Sequence, residues 1–376
     1  MSLWSRLDDI GVITLTRQGI DVAARLEASL PSRVTVYVSD KYDAQAPSHW
    51  SRFPRRIHPL VDEIWGRHDA LVFVMAAGIV VRAIAPHVQS KLHDPGVLVM
   101  DIRGRFAVAL CSGHLGGANE LCRIIADRTG ATAVVTTGTD VNDTLAPDML
   151  AKQLGARVDD WTPLKTVSGA LVDGRPVGVH VDPGIDAGDL ARFASKGVTV
   201  VDSPDELARF EAAVVVGPRL LPTPPIPTIW LRPPVLVVGI GCNRGTSDQE
   251  IDEVIGSVLA EHGWAVGSVA RLATIERKAD EEGLLTVARR HRWPLWWYRT
   301  DQVNRDAPPF PGRSEVVFRY VGVYGVSEPT AMMAAGATSL LVPKQKRGNV
   351  TVSVARIADD PVEPAGICFD ADGAAG

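Results

Sequence analysis

The sequence predicts an α/β protein with a layered α/β N-terminal region, a second small α/β segment, and a separate α/β C-terminal domain with a mixed sheet. Three observations carry this expectation. Short apolar runs alternate with amphipathic stretches along most of the chain, as in folds that pack helices on a mostly parallel sheet. Residues 70–75 are continuously apolar, the pattern of a strand buried on both faces. Seven prolines between Pro218 and Pro234 break the alternation, a density that no helix or central strand tolerates.

Taken in order, residues 10–15 read as a strand, 19–30 as a helix and 34–38 as a second strand. After the apolar run at 70–75, residues 97–101 and 106–110 read as strands joined by a hairpin at Ile102-Arg-Gly-Arg105. A helix over 119–129, stopped by Gly130, leads to a strand over 131–137. These elements make up an N-terminal domain, residues 1–144. A central segment, 145–217, has strands at 177–181, 198–201 and 212–216, and reads as a linker or cap domain with few polar constellations. Residues 218–234 read as a semi-rigid proline-rich linker. The C-terminal domain, 235–358, opens with a strand over 235–240 and a helix near Ser247, which has capping-box spacing to Glu250. It continues with a strand over 316–321, a helix opening at Ser327-Glu328-Pro329, and a pair of strands around 340 and 350–357. Residues 359–376, rich in Asp, Gly, Ala and Pro, read as a flexible tail.

Composition excludes several function classes. A net charge of −5 argues against a general nucleic-acid binder, so an anionic ligand must be met by local basic clusters. Four cysteines, Cys111, Cys122, Cys242 and Cys368, form no CxxC pair and fit reduced thiols rather than a zinc site. The opening residues lack the basic-then-apolar pattern of a secretory signal, and the longest apolar run, 70–81, is too short to span a bilayer. A cytoplasmic protein without membrane contact is expected.

The loop Ser112-Gly-His-Leu-Gly-Gly-Ala-Asn-Glu120 concentrates the chemistry. It joins a strand to a helix, and its glycines let backbone N–H groups approach a bound oxygen at a helix N-terminus. His114 is the loop residue that titrates near neutrality. A tight connection carrying a solvated histidine explains the same residues. Among the acids, Glu120 lies in a first helical turn, Asp140 is expected to end a strand, and Glu328 opens a helix before Pro329; each also has a purely structural explanation. Basic residues gather at Arg82, His87, Lys91 and His93, and in an expected turn at Lys344, Lys346 and Arg347; a solvated charged face is the competing explanation. Gly239-Ile-Gly-Cys-Asn-Arg-Gly245 joins a strand to a helix, but its third glycine falls one residue late for a dinucleotide fingerprint. Arg244 of that loop is expected to meet a ligand carboxylate instead. Trp293, Trp296 and Trp297 beside Arg289, Arg290 and Arg292 suggest core or macrocycle packing rather than nucleic-acid binding.

The ordered set of motifs resembles a known family. It comprises Gly78-Ile-Val-Val-Arg82-Ala-Ile-Ala-Pro86, Lys91-Leu-His-Asp94-Pro95, the 112–120 loop, Thr136-Thr-Gly-Thr-Asp140, the 239–245 loop, Lys278-Ala-Asp-Glu-Glu-Gly283, Gly325-Val-Ser-Glu-Pro329 and Gly348-Asn-Val-Thr-Val-Ser-Val-Ala-Arg356. In this order, from about residue 70 to 357, they resemble the CbiG family, the cobalt-precorrin-5A hydrolases of anaerobic cobalamin biosynthesis. The section from about 235 also resembles the short CobE-like proteins. The resemblance implies opening of a ring-A δ-lactone and release of acetaldehyde, leaving cobalt-precorrin-5B. It implies no protein cofactor, because the cobalt is carried by the substrate. His114 is the expected general base, Glu120 or Asp140 its orienter, and the N–H groups around Gly116 and Gly117 the oxyanion donors. Arg82, Lys91, Ser112, Asn119, Arg244, Glu328 and Lys344 are the expected substrate contacts. A homodimer and transient contact with neighbouring pathway methyltransferases are further expectations. A non-catalytic corrinoid carrier is the alternative.

Overall fold

The computed structural model describes residues 7–54, 56–91, 93–358 and 360–368. The chain divides into two compact units, residues 1–153 with 171–173, and residues 154–170 with 174–376.

In the first unit the predicted alternation produces β1 (Asp9–Thr14), α1 (Arg17–Ser29), β2 (Arg33–Ser39), β3 (Ser51–Phe53), α2 (Ile57–Ile64), β4 (Ala70–Val74), α3 (Ala77–Ile84), β5 (Gly96–Met100), β6 (Phe106–Cys111), α4 (Ala118–Thr129), β7 (Thr132–Val134), α5 (Gly138–Val141) and α6 (Pro147–Gln153). The strands form one sheet in the order β3-β2-β1-β4-β5-β6-β7. Every pairing is parallel except β5 with β6. Every residue of β4 and β5 is buried, as expected of central strands covered on both faces. One face packs α1 and α4 through Val22, Leu26, Leu121 and Ile125; the other packs α2 and α3 through Leu60, Ile64, Val80 and Ile84. The single antiparallel strand has a consequence for the site. Because β6 runs against β5, Cys111 at its end pairs with Val97 near the start of β5. The 112–117 loop therefore lies beside the N-terminal ends of the parallel strands.

The expected strand over 131–137 stops at Val134, and Gly138–Val141 forms α5. Asp140 thus lies on a helical turn beyond the strand rather than at its end. The hydrogen bond from the Val141 N–H to the Thr137 carbonyl closes that turn.

The second unit contains β8 (Arg157–Val158), most of α7 (Leu164–Val172), β9 (Val177–Val181), β10 (Val198–Val201), β11 (Ala212–Val216) and β12 (Thr228–Arg232), which form a sheet in the order β10-β9-β11-β12-β8. It continues with β13 (Leu236–Cys242), α8 (Asp248–Glu261), β14 (Val269–Ile275), α9 (Glu282–His291), β15 (Leu295–Tyr298), α10 (Thr300–Asp306), α11 (Glu315–Val321), α12 (Ser327–Ala335), β16 (Val342–Arg347), β17 (Val350–Arg356) and β18 (Gly366–Ile367). These strands form a mixed sheet in the order β16-β17-β13-β14-β15-β18. Ser247 caps α8 as its spacing predicts, accepting the N–H of Glu250. Ile251, Ile255, Val258 and Leu259 of α8 join Trp293 in the core, so that tryptophan is a packing residue.

Four expectations change here. Residues 218–234 are not a free spacer, because the proline-free stretch between Pro227 and Pro233 adds β12 to a sheet beside β11. Arg232 at its end is buried and donates to the carbonyls of Gly217 and Arg219 and to Asp159. Residues 316–321, whose Val-Val-Phe run suggested a strand, form α11 instead. The Ser314 hydroxyl accepts the N–H of Val317, Gly322 closes the helix in the left-handed region at φ 79°, and no residue of α11 is buried. Lys344, Lys346 and Arg347 lie on β16, and the turn falls at Gly348, whose φ is 50°. Within the expected tail, Gly366–Ile367 pair with Trp296 and Trp297; residues 359 and 369–376 lie outside the described residues.

A candidate acid–base site in the first unit

The 112–120 loop is built on close backbone approaches. A Cβ at Gly96 would stand 2.3 Å from the Gly116 carbonyl oxygen, and one at Gly116 would stand 2.5 Å from the Cβ of Ser112. Ser112 adopts φ 53°, a conformation that non-glycine residues rarely enter. These contacts press the loop against the start of β5 and lift His114 off the end of β6.

His114 is not a solvated loop residue. Its Nδ1 lies 3.1 and 3.2 Å from the carboxylate oxygens of Asp148, and its Nε2 lies 2.9 Å from Asp140 Oδ2 and 3.0 Å from the Thr139 hydroxyl. The imidazole is clamped between two carboxylates. Asp148, in the first turn of α6, is the buried end, with its side chain 5% exposed against 19% for Asp140. Burial alone would discourage protonation of His114, but the hydrogen bonds and charges of Asp148 and then Asp140 outweigh it and raise its pKa above the ordinary 6.5. Burial likewise works to raise both carboxyls. The His114 contact, with Lys91 at 3.8 Å, holds Asp148 below its ordinary range. The Arg123 and His114 contacts do the same for Asp140. When protonated, the imidazolium can donate one N–H group to each carboxylate.

Asn119 fixes Asp140 further: its amide donates to Asp140 Oδ2 at 2.8 Å and to the Thr137 hydroxyl at 2.9 Å. Arg123, one turn along α4, pairs with Asp140 Oδ1. Lys152 donates to the Leu115 carbonyl at 3.0 Å. A cleft of ≈ 310 Å³ opens on the same loop, lined in part by Leu115, Gly116, Lys152, His93 and Asp94, but not by His114.

The structure thus brings together His114, Asp140, Asn119 and Lys91 from the sequence-predicted set. Glu120 is not part of the array; among the described residues it has no hydrogen-bond or ion-pair partner, and Asp148 occupies the orienting position beside His114. Gly117 is not a free donor, because its N–H already bonds the His114 carbonyl, just as those of Ala118 and Asn119 bond Ser112 and Gly113. The Gly116 N–H has no such backbone acceptor among the described residues. Ser112 shapes the loop, its own hydroxyl donating to Cys111 Sγ at 3.8 Å. Arg82 lies on the exposed side of α3, donating to the Gly78 carbonyl at 2.7 Å.

Arg244 and Glu328, expected to touch substrate, both have protein partners in the second unit. The Arg244 guanidinium is engaged by Asp280 at 3.1 Å and by Glu281 at 3.4 Å, pinning the 239–245 loop to its neighbour. Glu328 is buried and accepts the backbone N–H groups of Gly312 at 2.8 Å and Lys344 at 3.2 Å. It therefore ties two chain segments to the start of α12, and the part of Lys344 it meets is backbone.

Asp148 was the residue that sequence reading missed, along with Arg123 and Thr139. In Ala146-Pro147-Asp148 a proline and an acid in the first turn already explain a helix start, so nothing local marks Asp148 as a partner of a histidine 34 positions earlier. Among the described residues, no group of three or more His, Cys, Asp or Glu side chains is arranged to hold a metal ion, and no helix is long and apolar enough to cross a membrane.

Fold and site define an α/β protein of two units, one of which holds a histidine poised between two carboxylates on a glycine-rich strand-to-helix loop. Three family profiles match in sequence order: Cobalamin synthesis G N-terminal over residues 59–140, Cobalamin biosynthesis central region over 145–233, and Cobalamin synthesis G C-terminus over 236–355. The chain is 35% identical over 371 residues to the cobalt-precorrin-5A hydrolase of Priestia megaterium, covering 94% of this chain and 96% of that protein. It is 33% identical over 351 residues to the cobalt-precorrin-5A hydrolase of Salmonella typhimurium, covering 93% and 98%. Its C-terminal region is similar to the CobE protein of a Sinorhizobium species, 32% identical over 107 residues that cover 28% of this chain and 70% of that protein. The chain belongs to the CbiG family of cobalamin biosynthesis. His114 and Asp140 fall within the N-terminal match and Asp148 within the central one.

Proposed function

We propose that this protein is a cytoplasmic cobalt-precorrin-5A hydrolase, which opens the ring-A δ-lactone with water and then releases the two-carbon fragment as acetaldehyde. The observation that carries this reading is its 35% identity to a hydrolase of that name along 94% of the chain. The acid–base array supports it. Lactone opening requires a proton for the departing alkoxide and donors for the tetrahedral oxyanion. In the proposed sequence protonated His114 supplies that proton, the attacking water gives up its own protons to solvent as the carboxylate forms, and the Gly116 N–H and Arg123 meet developing negative charge. His114, now neutral and held by Asp148, then takes the proton of the freed hydroxyl. The carbon–carbon bond breaks as in a retro-aldol step, its electron pair passing into the macrocycle and the two-carbon fragment leaving as the aldehyde. The proton lent in the first step is recovered in the second. Asp148 is a positioning residue, setting the charge and the orientation of the imidazole.

The test is incubation of the purified protein with cobalt-precorrin-5A, without added nucleotide or metal, and an enzymatic assay for acetaldehyde. Stoichiometric acetaldehyde is expected. Binding of the substrate without acetaldehyde overturns the hydrolase reading in favour of a corrinoid carrier.

A further inference from the structure

The second unit contains a cleft with a chemistry of its own. It encloses ≈ 330 Å³ and is lined by Val303, Asn304, Ala307, Phe310, Arg313, Phe318 and Tyr324. Three of these are aromatic. The rings of Phe318 and Tyr324 stack with centroids 4.5 Å apart. Phe310 packs against the backbone at Gly325, where a Cβ would stand 2.8 Å from its ring.

Arg313 gives the cleft its charge. Its guanidinium lies over the Tyr324 ring at 4.0 Å and over Phe310 at 5.7 Å. Among the described residues it has no carboxylate partner. A guanidinium held over aromatic faces keeps its planar fork of N–H donors, which suits two carboxylate oxygens at once. Asn304, also polar, is occupied, its amide donating to the Gly322 carbonyl at 2.8 Å. One wall is α11, which contributes Phe318 and buries none of its residues.

We propose that this cleft binds the edge of a planar conjugated ring that carries a carboxylate arm, with the aromatic side chains against the ring and Arg313 on the acid. The volume is at the low end of the roughly 300–1,000 Å³ typical of ligand pockets, enough for one ring and its arm rather than a whole macrocycle. A cobalt-precorrin presents several such edges, so the assignment of the ligand class rests on the hydrolase reading. It adds a recognition site within the second unit.

The test uses the full chain and two probes, dicyanocobyrinic acid, a corrin with free carboxylates, and its fully esterified form. Binding is followed by tryptophan and tyrosine fluorescence. Wild-type protein is expected to prefer the acid, and Arg313→Gln to weaken acid binding by roughly ten- to hundredfold, the usual worth of a charge-assisted hydrogen bond, while leaving the ester unchanged. Phe318→Ala is expected to weaken both probes together. Circular dichroism and thermal melting check that the variants fold. Acid binding by Arg313→Gln within about twofold of wild type, or equal binding of acid and ester by wild type, overturns the proposal. Acetaldehyde release by wild type, measured separately, keeps the two readings apart. Release with no dependence of binding on Arg313 leaves the hydrolase and removes this site. Arg313-dependent binding without release leaves the site and removes the hydrolase.

Discussion

Replacing Asp148 with Asn tests how His114 is held. The side chain of Asp148 is 5% exposed and accepts from His114 Nδ1 at 3.1 and 3.2 Å, while the imidazole itself is 14% exposed. Asparagine keeps the size and one hydrogen bond but removes the charge. A hydrogen bond to a charged group contributes about 1.5–3 kcal/mol, and stranding a buried charge costs about 3–5 kcal/mol. The lower range applies here, because His114 can give up its proton and keep Asp140 beside it. For a unit of this size, about 2 kcal/mol corresponds to a fall in Tm of roughly 4–8 °C. The pH dependence has a definite sign. The His114 pKa is raised above 6.5 by Asp148 and Asp140 against burial, so its stabilisation is complete below that value and fades as pH rises through the folded-state pKa. The Asp148 pKa is lowered below 3.8, so its stabilisation is present above that value and fades as pH falls through the folded-state pKa. The pair therefore stabilises most between 3.8 and 6.5, and Asp148→Asn is expected to cost more at about pH 6 than at about pH 9. Melting curves across that range and the titration of the His114 ring protons by NMR measure both effects. A wild-type His114 that titrates at or below 6.5, or a loss of stability that does not vary with pH, refutes the clamp.

Other outcomes follow from the same geometry. His114→Gln is expected to lower acetaldehyde release by about 10²–10⁴-fold, the usual worth of a positioned acid–base group, and a wild-type rate would remove His114 from the chemistry. His114→Ala is expected to destabilise as well, since it leaves Asp148 buried without its partner; equilibrium denaturation measures this. Gly96→Ala places a Cβ 2.3 Å from the Gly116 carbonyl, a backbone clash expected to cost about 1–3 kcal/mol and to displace the loop, read as a lower Tm together with lost turnover. Chymotrypsin is expected to spare the Trp230–Leu231 bond in the native chain, because β12 is paired with β11 there; rapid cleavage at that bond would show that β12 does not hold. Burial pushes the Cys242 thiol up to about 11, so it is expected to resist iodoacetamide at about pH 8 until the protein unfolds, as mass spectrometry of alkylated peptides would show.

Local patterns determined much of this protein. Continuous apolar runs specified β4 and β5, because a strand covered on both faces has no polar side to show. Ser247 and Glu250 specified the start of α8, since a cap is a contact within one turn. The ordered glycine-rich motifs carried the family, and His114 stood out by its chemistry alone. What these signals could not carry was partnership across the chain. Asp148 reaches His114 only because α6 packs beside the loop, and a proline-led helix start looks the same with or without that contact. Gly117 looked like a donor, yet its N–H is consumed by the turn that lifts His114 into place. The Val-Val-Phe run of α11 reads as a strand on propensity, but propensity yields to the Ser314 cap and the Gly322 stop. Arg244 and Glu328 looked like ligand contacts by type, and tertiary packing gave them protein partners that their sequence neighbours do not show. Elements follow from neighbours in sequence; charge, protonation and free donors follow from neighbours in space, which only the folded chain supplies.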